Sequence, residues 1–103
     1  MSLPAIDLNI YGELEDPEFR RAFFRAESSG EIARQLIACR KRRGLLQNEL
    51  AEKMGCFQPA LSRFEQADYH NRSFRWLLKL ADALDCRVRV VIEPWEDVRD
   101  EYR

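Results

Sequence analysis

The sequence predicts a mainly α fold: a bundle of short helices, two of them joined as a helix-turn-helix, with an extra N-terminal helix before them and one C-terminal β-strand after them. Three patterns carry this. QNELAEKM (47–54) and QPALSRFEQ (58–66) each repeat apolar residues at helical spacing, and Gly55 between them is free to take positive φ. SFRWLLKLADAL (73–84) places Trp76, Leu77, Leu80, Ala81 and Leu84 on one stripe behind a capping Ser73. In CRVRVVIEP (86–94) the period drops to two, with Val88, Val90 and Ile92 on one side and Pro94 ending the run.

Taken in order, residues 5–14 alternate Ile6, Leu8 and Ile10, a weak strand signal or an arm. In DPEF, Asp16 suits a cap, Pro17 the first helical position and Glu18 the positive end of the dipole, so a helix runs to about residue 26. Ser28 and Glu31 fit a capping box that opens a second helix. Ile32, Leu36, Ile37 and Cys39 mark its buried face, and Gly44 after RKRR is placed to end it. The helices at 47–54 and 58–66 follow, then a polar loop ADYHNR and the helix at 74–84. The strand at 87–93 cannot satisfy its own backbone, so it pairs with the N-terminal arm, with a second copy or with another protein. WEDVRDEYR reads as a charged tail. The organisation expected is an acidic arm and helix (1–28), the helix-turn-helix domain (29–85), a pairing strand (86–94) and the tail (95–103).

A chain of 103 residues makes one domain with a modest core. Apolar residues at 46% and charged residues at 34% fit a soluble globular protein. No apolar run approaches the roughly 18–20 residues of a membrane span. The first ten residues carry Asp7 and no basic residue, unlike a signal peptide, so a cytoplasmic protein is expected. Cys39, Cys56 and Cys86 stand far apart beside a single His70, which offers no metal set, and no cofactor is expected. With no carboxylate pair or Gly-rich phosphate loop at motif spacing, no enzymatic activity is expected either.

The net charge of −1 hides a pattern. Residues 1–33 carry three Arg against seven acids, residues 34–89 twelve Lys or Arg against six acids, and residues 90–103 two Arg against five acids. A phosphate backbone responds to the local field, so the basic middle suits double-stranded DNA while the acidic ends suit a basic partner.

Within the basic middle, Leu50, Ala51 and Met54 face inward on the first helix of the pair, and Leu61 and Phe64 on the second. Gln58, Pro59, Ser62 and Arg63 are left outward. They are either an ordinary solvated face or base readers, since Gln pairs with adenine and Arg with guanine. RKRR is likewise either a solvated helix end or a source of phosphate contacts. Arg42, Arg43, Lys53 and, in the loop, Arg72 are the phosphate candidates.

RKRRGLLQNELAEKMG (40–55), FQPALSRFEQ (57–66) and SFRWLLKLADAL (73–84) together resemble the lambda-repressor-like helix-turn-helix family, also called the XRE family. The resemblance implies a five-helix lambda-repressor-like domain, with Gln47 on a phosphate, Gln58 as leading base reader and an internal ion pair between Arg40 and Glu65. Leu46 and Phe57 depart from it, because family members usually hold a capping Thr or Ser there. Such a cap is worth about 1 kcal/mol, which Glu49 and Pro59 partly offset.

The acidic N-terminal segment, the closing strand and the DPEF…RKRRGLLQ spacing further resemble HigA-type antitoxins of bacterial toxin–antitoxin operons. That likeness implies a basic RelE/HigB-like ribonuclease toxin as partner and repression of a shared promoter. Separately from that likeness, pairing of the 87–93 strand with its copy in a second chain, through Val88, Val90 and Ile92, would give a homodimer that sets two reading helices on an inverted-repeat operator. The competing reading is a stand-alone XRE-family transcriptional regulator, phage-derived and without a toxin.

Overall fold

The computed structural model describes residues 10–67 and 73–103. Their helices are α1 (Ile10–Glu13), α2 (Pro17–Arg42), α3 (Gln47–Met54), α4 (Gln58–Glu65), α5 (Phe74–Leu84) and α6 (Trp95–Val98), with a closing 3₁₀ turn at Arg99–Tyr102. None of them is long and apolar enough to cross a membrane. The chain divides into two compact units, residues 26–89 and residues 1–25 with 90–103.

In the unit of residues 26–89, Leu36, Leu50, Ala51, Met54, Leu61, Phe64, Leu80 and Leu84 form one buried cluster, each at the position its helical stripe dictates. Phe64 is fully buried, and its ring centroid lies 4.9 Å from that of Trp76. Gly55 ends α3 at φ 69° and donates back to the Ala51 and Glu52 carbonyls, while Gly44 follows α2 at φ 70°. Asp85 takes the same left-handed conformation at the end of α5, with φ 54°. Ser73 caps α5, its Oγ accepting from the Trp76 N–H at 3.1 Å.

The other unit joins the two ends of the chain. Asp16 Oδ1 accepts from the Glu18 N–H at 3.1 Å, opening α2. Leu14 is fully buried and Val98 nearly so. Phe23 meets Tyr102 edge-on at 5.8 Å, and Phe24 lies 5.9 Å from Trp95. Around these rings, Arg20 donates to the Leu14 carbonyl at 2.9 Å and lies 4.8 Å from the centre of the Trp95 ring. Arg99 pairs with Glu15 at 3.2 Å, and Arg103 donates to the Tyr11 hydroxyl at 3.3 Å.

Four expectations are corrected. The helices expected on either side of Ser28 are one continuous helix, α2, of 26 residues. Ser28, Ser29 and Gly30 each lower helix propensity, but none bars the helix as Pro would. Glu31 there holds Arg34 at 3.1 Å and Gln35 at 3.4 Å rather than closing a capping box. Residues 10–13 of the expected N-terminal strand are helical, and residues 5–9 lie outside the described residues. The C-terminal β-strand is absent: no strand occurs among the described residues, and Val88, Val90 and Ile92 lie in irregular backbone. The alternation is real, but no described segment lies alongside to complete a ladder, and Ile92 is 90% exposed. Lastly, the tail at 95–103 is folded. Trp95, Val98 and Tyr102 recur at helical spacing; Val98 is buried, and Trp95 and Tyr102 pack on Phe24 and Phe23.

Candidate nucleic-acid interface

The starts of α3 and α4 are tied together by a run of side-chain hydrogen bonds that begins at the end of α2. Arg40 grips Glu65 with two parallel bonds, Nε to Oε2 at 2.6 Å and Nη2 to Oε1 at 3.0 Å. Its third nitrogen donates to the Leu45 carbonyl at 2.8 Å. The two side chains are only 11% and 6% exposed. Gln47, the first residue of α3, donates from Nε2 to Glu65 Oε1 at 2.9 Å. Gln58, the first residue of α4, donates from Nε2 to Gln47 Oε1 at 2.7 Å.

Chemistry fixes the sense of this run. An ionised Glu65 can only accept, so Gln47 must turn its NH₂ inward and its oxygen outward. Gln58 in turn must meet that oxygen with its own NH₂, which leaves the Gln58 oxygen and one N–H free. An acceptor and a donor side by side is the arrangement that pairs in bidentate fashion with adenine. Gln58, Pro59, Ser62 and Arg63 share the side of α4 opposite the buried Leu61 and Phe64, with Gln58, Pro59 and Arg63 exposed and Ser62 half-buried.

The phosphate candidates separate. Arg42 and Lys53 are exposed at the last turns of α2 and α3. Arg43 instead closes the end of α5, where its Nε donates to the Leu84 carbonyl at 2.7 Å and its Nη2 to the Asp85 carbonyl at 3.1 Å. Two of its nitrogens are thereby engaged by the carbonyls of that helix end. The sequence held no signal for this, because the partners lie 41 and 42 residues away. Arg72 lies outside the described residues.

At the two caps, Leu46 and Phe57 have the extended backbone of a cap but make no side-chain cap bond. Glu49 Oε1 accepts from the Leu46 N–H at 2.7 Å, half of a capping box. Leu46 is 63% exposed and Phe57 84%.

The helix-turn-helix domain family matches residues 31–95 of the chain. Antitoxin HigA1 of Mycobacterium tuberculosis, in strain CDC 1551 / Oshkosh and in strain ATCC 25618 / H37Rv, is 38% identical over 78 residues. The matched segment is 76% of this chain and 52% of each relative, so the chain spans about half the length of the curated relatives it matches. No solved structure matches it. The chain belongs to the helix-turn-helix domain family, in its lambda-repressor-like (XRE) form, and resembles HigA-type antitoxins.

Proposed function

We propose that this chain is the antitoxin of a type II toxin–antitoxin operon, a cytoplasmic, sequence-specific DNA-binding repressor that neutralises a RelE/HigB-like ribonuclease toxin and autoregulates its promoter. The observation that carries the DNA-reading part is the run Arg40–Glu65–Gln47–Gln58, which presents an oriented amide at the head of an exposed helix. In this reading α4 lies in the major groove. Gln58 takes an adenine and Arg63 a guanine, with Pro59 and Ser62 on the same surface. Gln47 still has one amide N–H for a phosphate at the start of α3, and Arg42 and Lys53 add charge.

The toxin part draws on the likeness to Antitoxin HigA1 and on charge. Residues 26–89 carry twelve basic and eight acidic side chains, whereas residues 1–25 with 90–103 carry five basic and ten acidic. The second set has the sign that attracts a basic nuclease, and the first the sign that attracts DNA. Homodimerisation, for which the exposed Val90, Val91 and Ile92 offer an apolar surface, would set two reading helices about 34 Å apart.

Selection from a random duplex library, at low and at physiological salt, tests the reading. The expected product is a short inverted repeat, bound with a salt slope of about −0.9 per phosphate contact and lost in Gln58→Ala/Arg63→Ala. Salt-sensitive binding with no enriched sequence would overturn it. Co-expression with the product of the neighbouring gene tests the toxin: a protein that captures nothing is a stand-alone XRE-family regulator.

A further inference from the structure

We propose that Phe57 reads a thymine methyl in the operator, beside the base pair taken by Gln58; this rests on the reading of α4 as the base-reading helix. Phe57 stands immediately before Gln58, at the cap of α4, with 84% of its surface exposed. On stability alone the residue is a poor choice twice over. A hydroxyl there could share the Ala60 N–H, which donates to the Phe57 carbonyl at 3.0 Å, and Phe makes no such side-chain bond. The ring also leaves its apolar area in water. Among the described residues no other ring stacks on it, and it is not among the side chains packed on the core.

What the position offers is a flat apolar group next to an amide whose acceptor faces outward. A phenyl ring has nothing to donate to a phosphate, so the usual partner of a helix start is ruled out for this side chain. The major-groove edge of the bases presents one apolar feature, the C5-methyl group of thymine, and Phe is among the side chains that meet it. Ring and amide together therefore suit two adjacent positions, an adenine under Gln58 and a neighbouring thymine under Phe57.

The test uses the full chain and its selected operator. Each thymine is replaced in turn by deoxyuridine, which removes the methyl and nothing else, and affinity is measured for the wild type and for Phe57→Ser. The serine restores a capping hydroxyl, so the variant keeps its helix. The expected result is one thymine in each half-site whose replacement weakens wild-type binding about four-fold, the worth of one buried methyl. The same replacement should leave Phe57→Ser unaffected. An operator indifferent to every thymine methyl, or an equal loss in both proteins, overturns the role of Phe57 while leaving base reading by α4 intact. A selection that enriches no sequence overturns both.

Discussion

Gln58 is held by Gln47: the amide nitrogen of the one lies 2.7 Å from the amide oxygen of the other, across the gap between two helix starts. Either side chain alone would be free to change rotamer. Because Gln47 is itself fixed by Glu65, the Gln58 amide in the proposed reading would come to DNA with its orientation already chosen, which lowers the entropy cost of binding. The two residues should then act as a unit.

The prediction is a coupled loss. Gln58→Ala weakens binding to the selected operator, and Gln47→Ala weakens it about five-fold, while the double variant loses less than the sum by about 1 kcal/mol. Titration of the four proteins against one labelled duplex measures the coupling. Strictly additive losses would mean that Gln47 contacts DNA without orienting Gln58.

The ion pair behind them sets a second expectation. Arg40 and Glu65 are nearly out of water, so removing one partner strands the other. Glu65→Ala should destabilise the fold by about 3 kcal/mol in urea denaturation. Replacing both residues by Met should recover most of that stability yet still impair operator binding, because Gln47 then has no acceptor to orient it. A double-Met variant that binds like the wild type would separate the pair from recognition.

The helices of the 26–89 unit were legible because each carries its own apolar stripe and its own stop. Gly44 and Gly55, at φ 70° and 69°, hold the left-handed conformation that costs glycine least. The misreadings have a common cause in that local signals are silent about distant partners. Ser28 with Glu31 satisfies the capping-box pattern, yet the helix runs through it because Glu31 has Arg34 and Gln35 within reach. Val88, Val90 and Ile92 alternate as a strand does, but alternation gives a face and not a neighbour. The fold of residues 95–103 was written in the spacing of Trp95, Val98 and Tyr102, and the six charged residues of WEDVRDEYR obscured it. Which arginine of RKRR also ties down the end of α5 depends on where the last carbonyls of that helix lie, and no spacing encodes that.

The caps give a stabilising variant. At Leu46 the backbone is already extended and Glu49 already takes the cap N–H, so only the hydroxyl half of the box is missing. Leu46→Thr completes it without moving the chain. We expect a gain of about 1 kcal/mol and a rise in Tm of roughly 4 °C. A melting curve measures it, and an unchanged Tm would show that the exposed leucine contributes to the fold by another route.

The last prediction concerns alkaline pH. Burial pushes the Cys39 thiol above its ordinary value of 9.0, with the neighbouring Cys86 thiol acting in the same direction and Arg43 and Arg42 opposing both. The native state thus holds the Cys39 proton more tightly than the unfolded chain does. Stability from this source is complete below the unfolded value and is lost as pH rises through the higher folded one. Mapped alkylation at about pH 8.5, just below the ordinary thiol value, should label Cys39 more slowly in the native protein than in the chain unfolded by urea. Denaturation midpoints should fall as the pH is taken above about 9, and Cys39→Ala should flatten that fall. Equal labelling rates in the native and unfolded chains would mean that the Cys39 thiol ionises as freely in the fold as in water.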